Sequence, residues 1–319
     1  MAGIGTALSR LWHREEKQSA TGKLIAVQSA GQPVWTPRDY EAMAREGFAQ
    51  NAICYRCVRM IAESAASVPL KLQDGKHVLD EHPLLSLLKR PNSVQSGQDL
   101  LEDWYGHLMV AGNAYLEAVS VDEDIIELHV LRPDRMKVVP GSDGWPEFYE
   151  YSVAGQQMRF HQGEAGQKPI LHMALFNPLN DHYGMSPIEA AAFGIDIHNA
   201  AGSWNKALLD NAARPSGALI YDAGDASLSV EQFERLKSEL ESSHQGALNA
   251  GRPLLLEGGL DWKPMGYSPR DMDFIEAKWV AAREIALALG VPPMLLGIPG
   301  DNTYSNYAEA NRTFWRQTV

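Results

Sequence analysis

The chain has 319 residues, of which 45% are hydrophobic, so it is long enough for a sizeable core and for more than one domain. Its formal net charge is −12. Proteins that grip DNA tightly are usually basic, so this charge argues against a sequence-reading DNA binder but is compatible with a protein that lets DNA slide past. No apolar run reaches the ~18 residues that a membrane span needs, and we expect no contact with a membrane.

An N-terminal arm and a helix-rich region are predicted first. Residues 1–36 contain short apolar pieces broken by charged residues, which favours a mobile arm over a secretory signal. Thr36 and Pro37 then carry the capping and first-turn signals of a helix start. The elements predicted next are a helix over Asn51–Ala66, a hairpin turning at Asp74-Gly75, a helix over His82–Leu88, and a helix over Gly97–Val110 capped by Ser96.

The two cysteines of the chain, Cys54 and Cys57, have the C-x-x-C spacing of a redox pair or of half a zinc site. A structural zinc ion needs four ligands, and no second cysteine pair exists. Both residues also lie inside a helical pattern rather than between a strand and a helix. We therefore expect buried free thiols.

A run of strands follows the first helices. Alternating apolar and polar residues separated by glycine-containing turns predict an antiparallel sheet packed on the preceding helices, hence an α+β fold. The predicted strands are Tyr115–Val119, Ile125–Leu131, Met136–Val139, Phe148–Val153, Gln157–Phe160 and Ile170–Met173.

Two long helices are predicted to bracket a small module. The first is capped by Ser186, has Pro187 at its first position and runs to about Asn211. The module comprises a strand over Ala218–Tyr221, a helix from Val230 capped by Ser229, and a hairpin turning at Gly258-Gly259. The second long helix is predicted over Arg270–Leu289, with Phe274, Ala277, Ala281 and Ala288 on its packed side and Gly290 at its end.

A glycine- and asparagine-rich loop follows Pro292-Pro293, and a last helical pattern starts near Asn306. A helical hairpin needs only about 2–5 linking residues, and a longer loop of this kind is often functional or mobile. A slack surface loop is the alternative on composition alone. The loop residues are Gly297, Ile298, Pro299, Gly300, Asp301, Asn302, Thr303, Tyr304, Ser305 and Asn306.

The sequence lacks three common motifs of catalytic and nucleotide-binding sites. Its 10 histidines include no His-Glu-x-x-His motif, and the chain has no nucleotide-binding glycine loop and no G-x-S-x-G elbow. We therefore predict that the protein is not an enzyme and needs no cofactor or metal. Charged residues on the module helix favour a solvated face, which in a ring could also dock a basic partner; they are Glu231, Glu234, Arg235, Lys237, Glu239 and Glu241.

Several motifs of this chain resemble those of portal proteins of tailed phages of the HK97 type, including the portals of prophages and gene transfer agents. The motifs also follow one another in the same order as in that family. The resemblance covers about residues 51–316. It is carried by His82-Pro83-Leu84, Arg90-Pro91-Asn92, Gly112-Asn113-Ala114-Tyr115, Gly184-Met185-Ser186-Pro187, Arg214-Pro215-Ser216-Gly217 and the run from Gly290 to Gly297 followed by Asp301–Asn306.

The resemblance implies a portal fold with a wing (37–185), a stem helix (186–213), a clip (214–267), a second stem helix (268–290), a tunnel loop (291–306) and the start of a long helix (307–319). It also implies a dodecameric ring at one capsid vertex through which double-stranded DNA is packaged and ejected without sequence preference. The implied partners are the terminase large subunit and then a head–tail adaptor at the clip, and the major capsid protein. The tunnel loop would face the DNA.

Family members continue into a crown domain, whereas this sequence stops at Val319, so we expect the crown to be missing from it. Two other functions remain open at this point. One is a ring component of a tail or baseplate without a packaging role, and the other is a small-molecule enzyme.

Overall fold

The computed structural model describes residues 39–121, 124–162, 168–210, 217–221, 229–232, 234–235, 237–238, 260–264, 274–300 and 304–319. The helices are α1 (Tyr40–Ala42), which continues as a π-helix (Met43–Ala49), α2 (Ala52–Ala66), α3 (Pro83–Lys89), α4 (Gly97–Ala111), α5 (Pro187–Asp210), α6 (Phe274–Ala288) and α7 (Tyr304–Gln317). The strands are β1 (Leu72–Asp74), β2 (His77–Leu79), β3 (Asn113–Val121), β4 (Asp124–Leu131), β5 (Met136–Pro140), β6 (Pro146–Val153), β7 (Gln156–His161), β8 (Ile170–Ala174), β9 (Gly217–Tyr221) and β10 (Leu260–Pro264).

Capping side chains set where the helices begin. Ser96 caps α4, as the sequence predicts, and Asp99 completes a reciprocal capping box with it. Ser186 Oγ accepts a hydrogen bond from the Ile188 amide at 3.0 Å, and it donates one to the carbonyl of Met109 at 2.9 Å. The cap that starts α5 therefore also fastens this helix to α4. Asp39 caps α1, whereas the predicted cap at residue 36 lies outside the described residues.

Strands β3 to β8 form two three-stranded antiparallel sheets, with orders β4–β3–β8 and β5–β6–β7, and not the one sheet that the sequence predicts. Strands β1 and β2 pair with each other as the predicted hairpin. A 3₁₀ turn over Pro133–Arg135 separates β4 from β5 and redirects the chain between the sheets. Tyr115 of the first sheet and Tyr149 of the second pack edge to face, with ring centroids 6.0 Å apart. The two sheets therefore share one buried cluster, and the α+β class is confirmed.

The helices enclose a second core. Residues from α2, α5, α6 and α7 meet there, among them Ile61, Ile195, Ile285 and Phe314, each at most 5% exposed. The cysteines of α2 are also in this core, as free thiols with no exposed surface, and burial raises the pKa of both. This confirms the prediction of buried free thiols.

The packed side of α6 agrees with the predicted one at Ala281 and differs from it at Ala277. Ala277 is exposed, and the buried side is formed by Ala281, Ala282, Ile285, Ala286 and Leu289. The difference arises because α6 packs on two neighbours, α5 on one side and the segment around Ile298 on another, so that its buried stripe is wider than a single row of residues.

Candidate channel segment and distal module

Helices α5 and α6 pack against each other in antiparallel fashion. A Cβ atom added to Gly194 would lie 3.4 Å from the carbonyl oxygen of Ala281, and one added to Gly202 would lie 4.0 Å from Nζ of Lys278. Residue numbers thus rise along α5 while they fall along α6. The lack of a side chain at residue 194 lets the two backbones approach closely, as the small residues of the sequence predict.

Strands β9 and β10 pair antiparallel, with Gly217 opposite Pro264 and Tyr221 opposite Leu260. Strand β10 corresponds to the second strand of the predicted hairpin, whereas the Gly-Gly turn before it lies outside the described residues. Ser229 Oγ accepts from the Gln232 amide at 3.2 Å, and Gln232 Oε1 accepts from the Ser229 amide at 3.0 Å, so the predicted cap is present.

The charged helix of this module is described at 230–232, 234–235 and 237–238. Glu231, Glu234, Arg235 and Lys237 are exposed there, which fits a solvated face. Glu239 and Glu241, the other two predicted docking residues, lie outside the described residues.

The chain leaves α6 through a tightly held turn. Gly290 has a φ of +69°, a conformation that side-chain-bearing residues rarely adopt, and its carbonyl accepts a hydrogen bond from Thr318 Oγ1. A 3₁₀ turn over Pro293–Leu296 follows and ends at Gly297, whose φ is +71°. The start of the predicted loop is thus ordered by local backbone geometry.

The next residues are fixed to α6. Ile298 is only 2% exposed and packs against Ala282 and Ala286. Arg283 donates a hydrogen bond from Nη2 to the carbonyl of Pro299. Since Ile298 is buried, its side chain does not belong to an exposed loop surface, contrary to its inclusion among the predicted channel residues.

The last helix begins earlier than predicted. Tyr304, Ser305 and Asn306 belong to the first turn of α7 and not to the loop, and Asn306 is exposed. Gly300 ends the described part of the segment, and the predicted residues 301–303 lie outside the described residues. The anchoring of the segment by Ile298 and Arg283 was missed in the sequence, although one isoleucine in a run of glycine, proline and polar residues was a signal for it.

A cleft of about 220 Å³ opens between α1, α2 and α4. Its walls include Phe48, Val58 and Val110, and the hydroxyl of Tyr40 lies 3.2 Å from Nδ1 of His107. Burial raises the pKa of the tyrosine and lowers that of the histidine, so both are uncharged at neutral pH. In the described ranges, no group of three metal-binding side chains occurs, and no helix is long and apolar enough to cross a membrane.

The family model for phage portal proteins matches residues 52–319. The chain belongs to the phage portal protein family. Its relatives include the portal protein of Enterobacteria phage HK97, at 26% identity over 90% of this chain and 68% of that protein. An uncharacterised protein of Rickettsia bellii (strain RML369-C) is 44% identical over 86% of this chain and 71% of its own length.

A solved structure contains a chain that is still more similar to this one. It is the neck of a native gene transfer agent particle computed with C12 symmetry, which contains a chain 56% identical to this one. The match has a TM-score of 0.67 and covers 91% of this portal-family chain and 78% of the other. The HK97-type portal resemblance seen in the sequence is thereby confirmed.

Proposed function

We propose that this chain is the portal subunit of a phage-derived particle, either a virion or a gene transfer agent. Twelve copies would close into a ring at one capsid vertex, where the ring is the channel for packaging and ejecting double-stranded DNA. The observation that carries this proposal is the 56% identity to a chain of a gene transfer agent neck with C12 symmetry. The antiparallel pair α5–α6 and the module between them fit the stem and clip that such a subunit needs.

The charge of the subunit suits passage of DNA. Duplex DNA carries one negative charge per ~1.7 Å of axis, and every lysine or arginine that contacts phosphate releases counterions and tightens binding. A subunit with a net charge of −12 repels the duplex from the wall and leaves it mobile. Polar uncharged residues near the turn into α7, including Asn302, Thr303 and Ser305, would meet the DNA backbone without fixing its register.

The clip would dock the terminase large subunit during packaging and a head–tail adaptor afterwards, while the wing would contact the major capsid protein. The exposed carboxylates of Glu231 and Glu234 suit a basic docking partner. Reversal of both to lysine should weaken terminase binding and leave ring size unchanged. The same reversal at the exposed Glu41 and Asp80 is the control, and equal effects of the two double variants would contradict this assignment.

Ring formation tests the proposal directly. The purified chain should run at about 420 kDa by light scattering, which is twelve times the 35.2 kDa subunit, and single-particle images should show an open axis. A species that remains a 35.2 kDa monomer at all concentrations would overturn it.

The proposed contact of the predicted loop, including Ser305 at the start of α7, with DNA has its own test. Replacement of Asn302, Thr303 and Ser305 by lysine should slow packaging in vitro and increase DNA retention, because each lysine adds a phosphate contact. The control places three lysines at the exposed positions Ser152, Gln156 and Gln157 of the β6–β7 hairpin, which changes the net charge equally. If both triple variants package at the wild-type rate, the loop does not meet DNA.

A further inference from the structure

Strand β8 and the loop after it carry four exposed apolar side chains within nine residues of sequence. Strand β8 lies at the edge of its sheet, with β3 as its one partner among the described strands. Leu171 and Met173 on this strand are 55% and 38% exposed, and Phe176 and Leu179 on the loop are 86% and 90% exposed. Large apolar side chains at such exposure, next to one another in the chain, are typical of a contact site.

The loop is held rigidly although its apolar side chains are exposed. The Leu175 amide donates to the carbonyl of Gly112 at 2.8 Å, which continues the β3–β8 pairing. Asn177 donates from Nδ2 to the carbonyl of Tyr183 at 2.9 Å and accepts from the Leu179 amide at 2.9 Å. A surface fixed in this way before binding loses little conformational entropy when a partner covers it.

The far end of the loop is fixed in the same manner. Asn180 Oδ1 accepts from the amides of His182 and Tyr183 at 2.9 and 3.0 Å. The Gly184 amide donates to Asn113 Oδ1 at 2.8 Å, which joins the loop to the first residue of β3. Phe176 and Leu179 thus lie on a loop that is held by hydrogen bonds at both ends.

Charge indicates what covers this surface. Residues 170–180 contain no Asp, Glu, Lys or Arg, although such residues make up 21% of the chain. Two copies of one chain, each with a net charge of −12, repel each other, so a surface without charged residues and with exposed apolar area is where they can approach at the lowest electrostatic cost. A different partner of opposite charge would instead favour the acidic faces.

We infer that the surface formed by β8 and residues 175–180, with Phe176 and Leu179 as its most exposed apolar side chains, is a contact between neighbouring copies of this chain in the ring. The inference rests on the proposed function, which requires a ring, and it names one surface through which neighbouring subunits of that ring would bind. Since a ring interface joins two different faces, the surface would bind another face of the next copy and not its own equivalent.

The test uses the full chain with Phe176→Ser and Leu179→Ser combined. Because both side chains are at least 86% exposed, the variant should keep the wild-type circular dichroism spectrum and melting temperature. We expect the concentration at which half of the chain is in rings to rise at least about tenfold, measured by mass photometry, since central aromatic and aliphatic anchors dominate interface energies. Trp145→Ser, at a 74% exposed residue of the β5–β6 turn, is the control and should leave assembly unchanged.

A second measurement covers the case in which the double variant misfolds. The photo-crosslinker p-benzoylphenylalanine at position 179 of the otherwise intact chain should join two copies within purified rings, and at position 145 it should not. Rings of unchanged stability in a folded double variant, or the absence of copy-to-copy crosslinks from position 179, would overturn the inference and leave the proposed function standing; the surface would then face another protein. A wild-type chain that forms no ring would overturn both.

Discussion

Gly112 is confined by both its backbone conformation and its neighbours. Its φ is +72°, and an added Cβ atom would lie 2.5 Å from the carbonyl carbon of Met185 and 2.6 Å from the amide nitrogen of Ser186. We expect Gly112→Ala to lower the free energy of unfolding by about 2–5 kcal/mol, because left-handed strain and overpacking add. Gly144→Ala, at φ +83° with open space around it, should cost about 1–2 kcal/mol. Urea unfolding measures both, and equal losses would contradict the steric part of this account.

His172 should make stability depend on pH. Its ring stacks on Tyr115 at 4.3 Å, its Nε2 lies 3.0 Å from Asn113 Oδ1, and burial lowers its pKa to about 4. The unfolded chain has a histidine pKa near 6.5. Between pH 6.5 and 4 the unfolded state therefore binds a proton that the folded state does not, and the free energy of unfolding falls as pH falls.

Replacement of the imidazole isolates this contribution. His172→Gln should show a smaller loss of unfolding free energy between pH 7 and pH 5 than the wild type, whatever its stability at pH 7. His107 and His198, whose pKa values burial also lowers, remain in both proteins and cancel in the comparison. Parallel stability curves for the two proteins from urea unfolding would count against this role of His172.

At the scale of elements, close packing of α5 on α6 depends on Gly194. Its added Cβ atom would already lie 3.4 Å from Ala281 and Glu284, so Gly194→Val should overpack the contact and cost about 1–3 kcal/mol of unfolding free energy. Gly106, inside α4, has nothing within 4 Å of an added Cβ atom. Gly106→Ala should therefore stabilise the protein by about 0.5–1 kcal/mol. Melting curves of both variants would decide, and a neutral Gly194→Val would show that the helices can separate freely.

Elements with local signals were predictable from the sequence. Ser96 caps α4, with Asp99 as its partner, and Ser186 caps α5, with Pro187 at the first helical position. These signals lie within a few residues of the helix start, so they can be read from the sequence. The π-helix Met43–Ala49 was not predicted, because it depends on a contact distant in sequence. A Cβ atom on Gly47 would lie 2.9 Å from Cγ2 of Ile188, so the backbone of this turn is shaped against α5. The anchoring of Ile298 on α6 was missed for the same reason.

At the scale of the whole molecule, assembly should respond to salt. Identical copies with a net charge of −12 repel each other, and the Debye length falls from about 30 Å at 0.01 M salt to about 8 Å at 0.15 M. We expect the fraction of chain in rings, measured by mass photometry at one protein concentration, to increase between these two salt concentrations. A decrease would mean that opposite charges across the interface hold the ring together.

Only some properties of the whole molecule could be predicted from the sequence. The order of motifs indicates a portal-family subunit, and the net charge of −12 argues against a sequence-reading DNA binder. The contact surface on β8 was not predicted, since Leu171 and Met173 look like ordinary residues of a half-buried strand. They lie on the face of the sheet opposite Ile170, which packs into the cluster shared by the two sheets. Which of the two faces is covered depends on how the sheets pack and not on the strand itself.

The pairing of β9 with β10 has a consequence for how this protein can change over time. Because Gly217 lies opposite Pro264, the chain departs towards the module and returns from it at one place. The segment 222–259 is thus an insertion whose flanking residues, Tyr221 and Leu260, are paired with each other. Because its ends adjoin, a change in the length of this segment need not displace α5 or α6.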